Sequence, residues 1–149
     1  MVNINQIKKL REETEVSISE CKGALTEAKG DFQKAKEILR EWGKDFARKK
    51  TEKEAKQGII ESYIHSNKKI GVMIELCCET DFVAKNSDFQ KLAHELALQI
   101  TAINPSEETP LLDQTWIRDE AKTIKDLIDE YIAKLGENII IKRFVRYEI

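Results

Sequence analysis

Residues 77–86 read Cys-Cys-Glu-Thr-Asp-Phe-Val-Ala-Lys-Asn, and they mark the point where an apolar strand leaves the predicted core. The apolar run that starts at Ile70 ends abruptly in three polar residues, and the aromatic Phe82 follows directly. Two interpretations of this segment are open. Thr80 or Asp81 could cap a helix through a side-chain oxygen, and Phe82 would then turn inward as a core residue. Alternatively, Phe82 beside an acidic residue at the mouth of a strand would be aimed at another molecule.

An alternating pattern of apolar residues precedes this segment and predicts a β-hairpin. The apolar positions of its two strands are Ile60, Ile64, Val72, Ile74 and Leu76. We place the loop at residues 67–69, because a three-residue loop sets Ile64 opposite Val72 and keeps one shared apolar face. Ile60 then lies opposite Leu76 on the same face.

Two helices and a last strand are predicted downstream. The first helix spans residues 87–103. Its buried face consists of Phe89, Leu92, Ala93, Leu96 and Ile100. In the loop that follows, Leu111 and Leu112 are expected to contact the core. The second helix spans residues 118–135, and residues 139–149 alternate well enough to add a third strand to the hairpin. The inward residues of the second helix are expected to be Ile124, Leu127, Ile128 and Tyr131.

The first 43 residues predict a module of three short helices, because apolar residues recur there at three- and four-residue intervals. The three apolar stripes are Ile4, Ile7 and Leu10, then Ile18, Cys21, Leu25 and Ala28, and then Phe32, Ala35, Leu39 and Trp42. Ser17 is expected to cap the second helix and Asp31 the third, and Gly43 is expected to end the module. A module this small buries little apolar area, so it suits docking better than catalysis.

Residues 44–57 form a highly charged segment with six basic and three acidic side chains. A contact with the ribosome or transfer RNA and a solvated helix face both fit this composition, and we favour the solvated helix. Gly58 is expected to break that helix. The chain is therefore expected to be an α+β protein, with a three-helix domain over residues 1–43 and a helical linker over 44–57. Residues 58–149 would form a core in which two helices pack on a three-stranded antiparallel sheet.

The composition excludes several classes of function. The 149 residues include 25 basic and 27 acidic ones, which gives a net charge of −2 and argues against a general nucleic-acid binder. No apolar run approaches the ~20 residues of a membrane span. The first six residues lack the basic and apolar parts of a signal peptide. We therefore expect a cytoplasmic protein without membrane contact, or a protein of an organelle matrix if a transit peptide was removed.

Residues capable of covalent chemistry are few and poorly placed. The odd number of cysteines suits a reducing compartment, and Cys77 and Cys78 would face opposite sides of a strand. These two and Cys21 are expected to be small buried hydrophobes. With only His65 and His94 besides, and without a glycine-rich phosphate loop, we expect neither a metal nor a cofactor. No carboxylate pair lies in an apolar setting that would raise a pKa, so we expect a protein that is not an enzyme.

Four stretches of this sequence carry a family resemblance. They are Ile-Lys-Lys-Leu-Arg-Glu-Glu-Thr at 7–14, Glu-Cys-Lys-Gly-Ala-Leu-Thr-Glu-Ala at 20–28, Glu-Thr-Asp-Phe-Val-Ala-Lys-Asn at 79–86, and Leu-Gly-Glu-Asn-Ile-Ile-Ile-Lys-Arg-Phe at 135–144. They resemble the elongation factor Ts family, whose members strip GDP from elongation factor Tu, and they occur in the family's order. The resemblance implies an N-terminal domain of the ubiquitin-associated (UBA) type that docks on the GTPase domain of Tu. A core of the dimerisation type would follow it.

The resemblance also implies which residues contact the partner. In the family an Asp-Phe pair intrudes near the Mg²⁺ site of Tu, and here Asp81 and Phe82 match that pair, with Phe82 as the wedge. Thr80 and Asp81 would hold the segment by hydrogen bonds and disturb the water shell of the ion, and Val83 completes the motif. The expected docking residues of the N-terminal domain are Leu10, Ile18 and Cys21. The implied partners are Tu, with GDP or without nucleotide, and a second copy of this chain, but no nucleic acid.

The chain also departs from the family pattern. Residues 15–17 are Glu-Val-Ser where the family usually has glycines, and only Ile18 remains of a pair of bulky apolar residues. The family's long helical hairpin and its second core half are missing, and a short loop near residues 105–110 bridges the gap. Three alternatives therefore stay open. They are a remnant that binds Tu without exchanging nucleotide, a UBA-type protein-binding module, and a small enzyme that uses Cys77 or Cys78.

Overall fold

The computed structural model describes residues 2–149, and its N-terminal part consists of helices that start at side-chain caps. The elements are α1 (Ile4–Thr14), α2 (Ile18–Glu27) and α3 (Phe32–Lys50). Asn3, Ser17 and Asp31 each accept a hydrogen bond from the backbone N–H three residues further on. Such caps satisfy the free N–H groups of a first helical turn. The predicted caps Ser17 and Asp31 are therefore confirmed.

A small apolar cluster holds these three helices together. Its buried members are Leu10, Cys21, Ala24, Leu25, Ala28, Ala35 and Leu39. Ile7, Phe32 and Trp42 pack against it and are partly buried. The first two predicted stripes were wrong at their first positions, because Ile4 and Ile18 are exposed. Both residues start a helix, where the backbone enters from outside the cluster.

Helix α3 continues past Gly43 to Lys50, so the prediction that Gly43 ends the module was wrong. Glycine inside a helix costs only about 1 kcal/mol relative to alanine, and tertiary packing can offset this cost. A Cβ on Gly43 would lie 3.4 Å from the Cβ of Ala133, so the bare backbone permits a close approach. Ala47 is buried in the core around the sheet, and α3 ends at Lys50, so the charged segment 44–57 is neither fully solvated nor helical throughout, contrary to the prediction.

The second half of the chain is built around an antiparallel sheet. Its strands are β1 (Gln57–Ile64), β2 (Ile70–Cys78) and, later in the chain, β5 (Ile139–Glu148). Strand β2 lies in the centre and pairs with β1 on one side and β5 on the other. The predicted third strand is therefore confirmed, and Val72, Ile74 and Leu76 are buried as expected.

The predicted register of the hairpin was wrong by one residue. Tyr63, rather than Ile64, lies opposite Val72, because the loop between the facing residues His65 and Ile70 has four residues, 66–69, and not three. In the loop, Lys68 adopts a left-handed conformation with φ of 60°. A shift of one residue turns every side chain of a strand to the other face. Ile60 and Ile64 are consequently exposed on the open face of the sheet.

Gly58 lies within β1 and does not break a helix, which corrects its predicted role. A Cβ at this position would come within 2.1 Å of the carbonyl oxygen of Leu76 on the neighbouring strand. The close approach of the two backbones therefore requires glycine at residue 58.

Helices cover one face of the sheet and complete the larger core. The helices are α4 (Asp81–Ala84), α5 (Ser87–Ala102) and α6 (Ile124–Leu135). The predicted buried face of α5 is confirmed at all five positions. Leu111, in a short 3₁₀ turn, is buried as expected, but its neighbour Leu112 is exposed. The fold is thus α+β, as predicted.

Helix α6 begins at Ile124, six residues later than predicted. The residues before it form a small antiparallel pair, β3 (Thr115–Trp116) and β4 (Asp119–Thr123). Thr123 and Asp126 form a reciprocal capping box that fixes the start of the helix. Ile124, Leu127 and Ile128 are buried as expected, whereas Tyr131 is only partly buried.

Apart from Cys77, the buried apolar residues of the described chain fall into two clusters, one within α1–α3 and one around the sheet. These clusters support a division that we keep as a proposal, with domains over 1–43 and 58–149 and a linker over 44–57. Helix α3 crosses the first boundary. Within residues 2–149, none of the helices is sufficiently long and apolar to traverse a bilayer.

Candidate partner-binding site

The candidate site is the turn that follows β2. Thr80 has an extended backbone and caps the single-turn helix α4, and its Oγ1 accepts a hydrogen bond of 3.3 Å from the N–H of Val83. The capping interpretation is therefore correct for Thr80. Its corollary, an inward Phe82, is wrong, because 84% of Phe82 is exposed.

The packing of its neighbours places Phe82 on the outer side of α4. Val83 and Ala84 are buried in the larger core and hold α4 against the sheet and α5. Successive residues of a helix point about 100° apart, so the residue before this buried pair faces solvent. Val83, which the motif includes, therefore offers no surface to a partner and instead anchors the turn.

A second turn, which follows α6, holds the first one in place. One carboxylate oxygen of Glu137 accepts a 2.9 Å hydrogen bond from the backbone N–H of Thr80. The other accepts a 2.7 Å hydrogen bond from the Thr80 hydroxyl. In return, a carboxylate oxygen of Glu79 accepts a 2.6 Å hydrogen bond from the backbone N–H of Asn138. Hydrogen bonds to ionised acceptors are short and strong, so the two turns form a stiff unit.

Gly136 and Asn138 shape this second turn. Gly136 ends α6 in a left-handed conformation with φ of 78°, which favours glycine. The side chain of Asn138 is buried and donates a 2.8 Å hydrogen bond to the carbonyl of Lys53. Glu137 is thereby directed at Thr80 from a fixed backbone.

Asp81 is exposed and forms an ion pair of 2.8 Å with Lys85 one helical turn later. The carboxylate of Asp81 raises the pKa of the Lys85 ammonium, which remains charged. Ion pairs between exposed side chains contribute ~0–1 kcal/mol at most. Asp81 can therefore exchange Lys85 for another partner at little cost.

The cysteines next to this turn are not suited to nucleophilic chemistry. The Sγ of Cys78 lies 3.2 Å from the carbonyl oxygen of Thr80, and burial raises the pKa of its thiol to about 11. Burial also raises the pKa of the Cys77 thiol and of the Cys21 thiol. The thiolate is the reactive form, so these observations argue against a cysteine enzyme. The expectation that all three cysteines are buried is confirmed.

The three predicted docking residues of the helical module differ in exposure. Leu10 and Cys21 are fully buried, whereas 56% of Ile18 is exposed. Ile18 lines an open groove of about 780 Å³ between the module and the core. On the core side of that groove, Lys134 forms ion pairs with Glu15 and with Asp88. Of the three, only Ile18 has the exposed surface that a direct contact needs.

One single carboxylate has a raised pKa, although the sequence analysis expected no carboxylate pair in an apolar setting. Burial raises the pKa of Asp129 on α6, although Lys125, Lys44 and Arg48 oppose the shift. Asp129 lies beside a small polar cavity between α3 and α6, far along the chain from Phe82. Within residues 2–149, no group of three or more His, Cys, Asp or Glu side chains is placed to hold a metal.

Reasoning from the sequence missed Glu79, Glu137 and Asn138 as parts of the site. Their hydrogen bonds join residues 57 and 59 positions apart, which no local pattern reveals. A signal was nevertheless present, because these residues belong to the blocks at 79–86 and 135–144. The structure shows that the two blocks are in contact.

Comparison with known proteins supports the same family. A family model described as "Elongation factor TS" matches residues 79–149. The chain is 42% identical to elongation factor Ts of Thermodesulfovibrio yellowstonii over 192 aligned positions, which cover 99% of this chain and 96% of the relative. It is 41% identical to that of Thermotoga maritima over 191 positions, with the same two coverages. It is 39% identical to that of Coprothermobacter proteolyticus over 193 positions, which cover 99% and 98%.

These alignments are longer than the 149 residues of the chain. The relatives therefore contain about forty residues for which this chain has no counterpart. This difference in length agrees with the expectation that a segment of the family is missing here.

Proposed function

We propose a function for this chain from one premise: it belongs to the elongation factor Ts family. It is therefore a translation elongation factor. It binds elongation factor Tu in the GDP-bound and the nucleotide-free state, disturbs the Mg²⁺ site of Tu, and promotes the exchange of GDP for GTP. No covalent bond is made or broken in this process, so the protein is not an enzyme and needs no cofactor. Its site of action is the bacterial cytoplasm, where Tu works.

The exposed ring of Phe82 on a fixed turn is the observation that carries this proposal. A large apolar side chain is costly to expose to water, and burying it in a partner yields roughly 2 kcal/mol. A tenfold weakening of nucleotide binding requires about 1.4 kcal/mol of coupling. One aromatic wedge therefore supplies enough free energy for at least a tenfold effect.

The roles of the neighbouring residues follow from their contacts. Phe82 enters Tu as the wedge, and Asp81 exchanges its exposed ion pair with Lys85 for groups near the Mg²⁺ ion. Thr80 is occupied by its cap and by Glu137, so it fixes the turn. Val83 anchors the turn from within the core. By linkage, if the factor weakens nucleotide binding, nucleotide weakens factor binding to the same extent.

The helical module supplies a second contact. Ile18 docks on the GTPase domain of Tu through its exposed side chain. Leu10 and Cys21 contribute by shaping the module around it, because both are buried. Phe82 and Ile18 thus act as separate contacts on one partner.

The open face of the sheet supports a second proposed partner, another copy of this chain. Its exposed apolar residues are Ile60, Ile64, Met73, Ile140, Val145 and Tyr147. An apolar sheet face is normally covered by another layer. Sedimentation equilibrium would test this, because Met73→Glu should convert a dimer to a monomer. A wild-type chain that sediments as a monomer at micromolar concentration would refute it.

Release of a fluorescent GDP analogue from Tu, followed by stopped flow, tests the exchange function. We expect the wild-type chain to accelerate release, and Phe82→Ala to slow exchange per folded molecule by at least about tenfold. Phe46→Ala is a matched control, since it removes another exposed aromatic ring, on α3. It should exchange nucleotide at the wild-type rate.

Two results would contradict this proposal, each in favour of one alternative. Binding of Tu without accelerated release would identify a remnant that lacks exchange activity. A failure to bind Tu at all would favour a general UBA-type binding module. If Phe82→Ala and the wild-type chain release GDP equally fast, Phe82 is not the wedge.

A further inference from the structure

We infer, on the basis of the proposed exchange function, that Glu137 is a positioning residue that sets the direction of Phe82. Glu137 lies 55 residues after Phe82 in the sequence. It acts through Thr80, which it contacts with both oxygens of its carboxylate.

The hydroxyl of Thr80 carries the decisive detail. A hydroxyl group has one proton to donate and two lone pairs to accept with. The Oγ1 of Thr80 donates its proton to Glu137 over 2.7 Å, and it accepts from the N–H of Val83 over 3.3 Å. The carboxylate therefore holds the hydroxyl proton away from α4 and leaves a lone pair for the cap. Glu137 thus determines that Thr80 works as an acceptor for the helix that carries Phe82.

Helix α4 needs this support because it is only four residues long. A single helical turn is unfavourable on its own, since it fixes several backbone angles for one hydrogen bond. The exposed ring of Phe82 has little contact with the rest of the chain and cannot fix the turn itself. Two interactions are left to stabilise α4: the cap by Thr80 and the packing of Val83 and Ala84. Glu137 controls the cap.

The pairing of the two turns makes the arrangement reciprocal. Thr80 is held by Glu137, and the residue after Glu137, Asn138, donates its N–H to Glu79 over 2.6 Å. Each turn thus contributes one carboxylate and one backbone N–H. Residues 79–80 and 137–138 therefore move as one unit, and the direction of Phe82 is coupled to the end of α6.

The experiment compares Glu137→Gln with the wild-type chain, in the free protein and with Tu. Gln has the same size but replaces one acceptor oxygen with an NH₂ donor, so it cannot accept both hydrogen bonds from Thr80. In the free protein, we expect the backbone N–H of Val83 to exchange with deuterium about fivefold faster. With saturating factor, the rate of GDP release from Tu should fall about fivefold, while affinity for nucleotide-free Tu changes less.

A double-mutant cycle separates positioning from a general loss of stability. In the Phe82→Ala background, Glu137→Gln should cause a much smaller further loss of exchange rate, because the ring is absent and only Asp81 remains on α4 to be positioned. Thr80→Val should reproduce the effect of Glu137→Gln, and Thr80→Ser should restore most of the wild-type rate. Glu130→Gln, on the preceding helix α6 and in an ion pair with Lys122, is the matched control and should leave the rate unchanged.

The outcomes distinguish this inference from the proposed function. If Glu137→Gln slows release equally with and without Phe82, Glu137 acts independently and the inference is wrong. Wild-type deuterium exchange at Val83 in Glu137→Gln would overturn it as well. If the wild-type chain does not accelerate GDP release but Val83 still exchanges faster in Glu137→Gln, the positioning holds and the proposed function fails.

Discussion

The two segments that resemble partner contacts are built in opposite ways. At the turn after β2, the aromatic side chain of Phe82 is exposed to solvent. Hydrogen bonds from a distant turn stabilise the backbone that carries it. In the helical module, two of the three expected docking residues are inside, and Ile18 alone is exposed. A sequence motif therefore marks presenting and supporting residues together. The exposure of each side chain distinguishes the residues that can contact a partner from those that support them. This exposure cannot be read from the motif itself.

The two regions also differ in the cores that support them. The module rests on three leucines together with small alanine and cysteine side chains. The core under the turn contains Phe89 and many larger aliphatic residues on both helices and strands. Since apolar stabilisation scales with buried area, the module is expected to open before the sheet core.

The largest effects should come from truncations in these two cores. We expect Leu96→Ala and Leu25→Ala each to lower the free energy of unfolding by about 2–5 kcal/mol. Leu96→Ala should reduce hydrogen-exchange protection throughout the sheet, whereas Leu25→Ala should reduce it mainly in α1 and α2. Urea unfolding combined with residue-resolved hydrogen exchange measures both. Equal loss of protection in the sheet and the module upon Leu25→Ala would show that the two clusters unfold together.

A smaller effect is expected from Ile18→Ala. This residue is more than half exposed, so its truncation should change the free energy of unfolding by less than about 0.5 kcal/mol. It should weaken the affinity for Tu a few-fold without changing the rate of GDP release at saturation. Titration calorimetry and stopped flow together measure the two quantities. A reduced saturating rate would mean that the module takes part in the wedge step and is not a separate contact.

The smallest effect concerns the junction of the two regions, where Asp129 on α6 faces Lys44 and Arg48 of α3 and Lys125 of its own helix. Burial raises the folded-state pKa of this carboxyl above its unfolded value, so the ionised form opposes folding at neutral pH. Asp129→Asn should therefore increase the free energy of unfolding at neutral pH. The gain should shrink as the pH falls through the raised pKa, and vanish below the unfolded value, where both side chains are neutral.

Thermal unfolding of Asp129→Asn and the wild-type chain between about pH 3 and 7 checks this prediction. Asp126→Asn should have the opposite effect on stability, because hydrogen bonds from Thr123 lower the pKa of Asp126. Its loss should destabilise the protein above the usual pKa of an aspartate, and less as the pH falls. A loss of stability in Asp129→Asn at neutral pH would show that its attraction to the basic residues outweighs its burial.

Much of this fold could be predicted from local patterns. The buried face of α5 follows from its three- and four-residue spacing, and the caps Ser17 and Asp31 follow from their side-chain chemistry. These features depend on residues that are close in sequence. Local signals determine them because the relevant contacts are themselves local.

The wrong predictions share a different cause. The register of the hairpin depends on loop length, and a left-handed lysine, Lys68, extends the loop beyond the apparent turn. Gly43 resembles a helix end in the sequence. It lies inside α3 because α6, which is distant in sequence, approaches closely there through Ala133. The pair β3–β4 could not be predicted from its sequence, because its residues do not alternate between apolar and polar. The apolar spacing on which the predictions depend reveals none of these three features.

The candidate site shows the same limit. Phe82 could be singled out because an aromatic residue follows polar ones at the end of a strand. Its exposure could not be predicted, since it depends on Val83 and Ala84 finding a core on the other side. The role of Glu137 could not be predicted either, because Glu137 and its partner Thr80 are 57 residues apart in the sequence.

The separation of 57 residues between Thr80 and Glu137 has a consequence for folding during synthesis on the ribosome. The turn that carries Phe82 is synthesised well before Glu137 and Asn138, which hold it and lie 57 and 59 residues after their partners. Contacts between distant residues form late, because a long loop must close first. We therefore expect a nascent chain to form its hairpin and earlier helices before the turn that carries Phe82 is fixed. Such a chain is expected to engage the proposed partner only after residues 137 and 138 have left the ribosome.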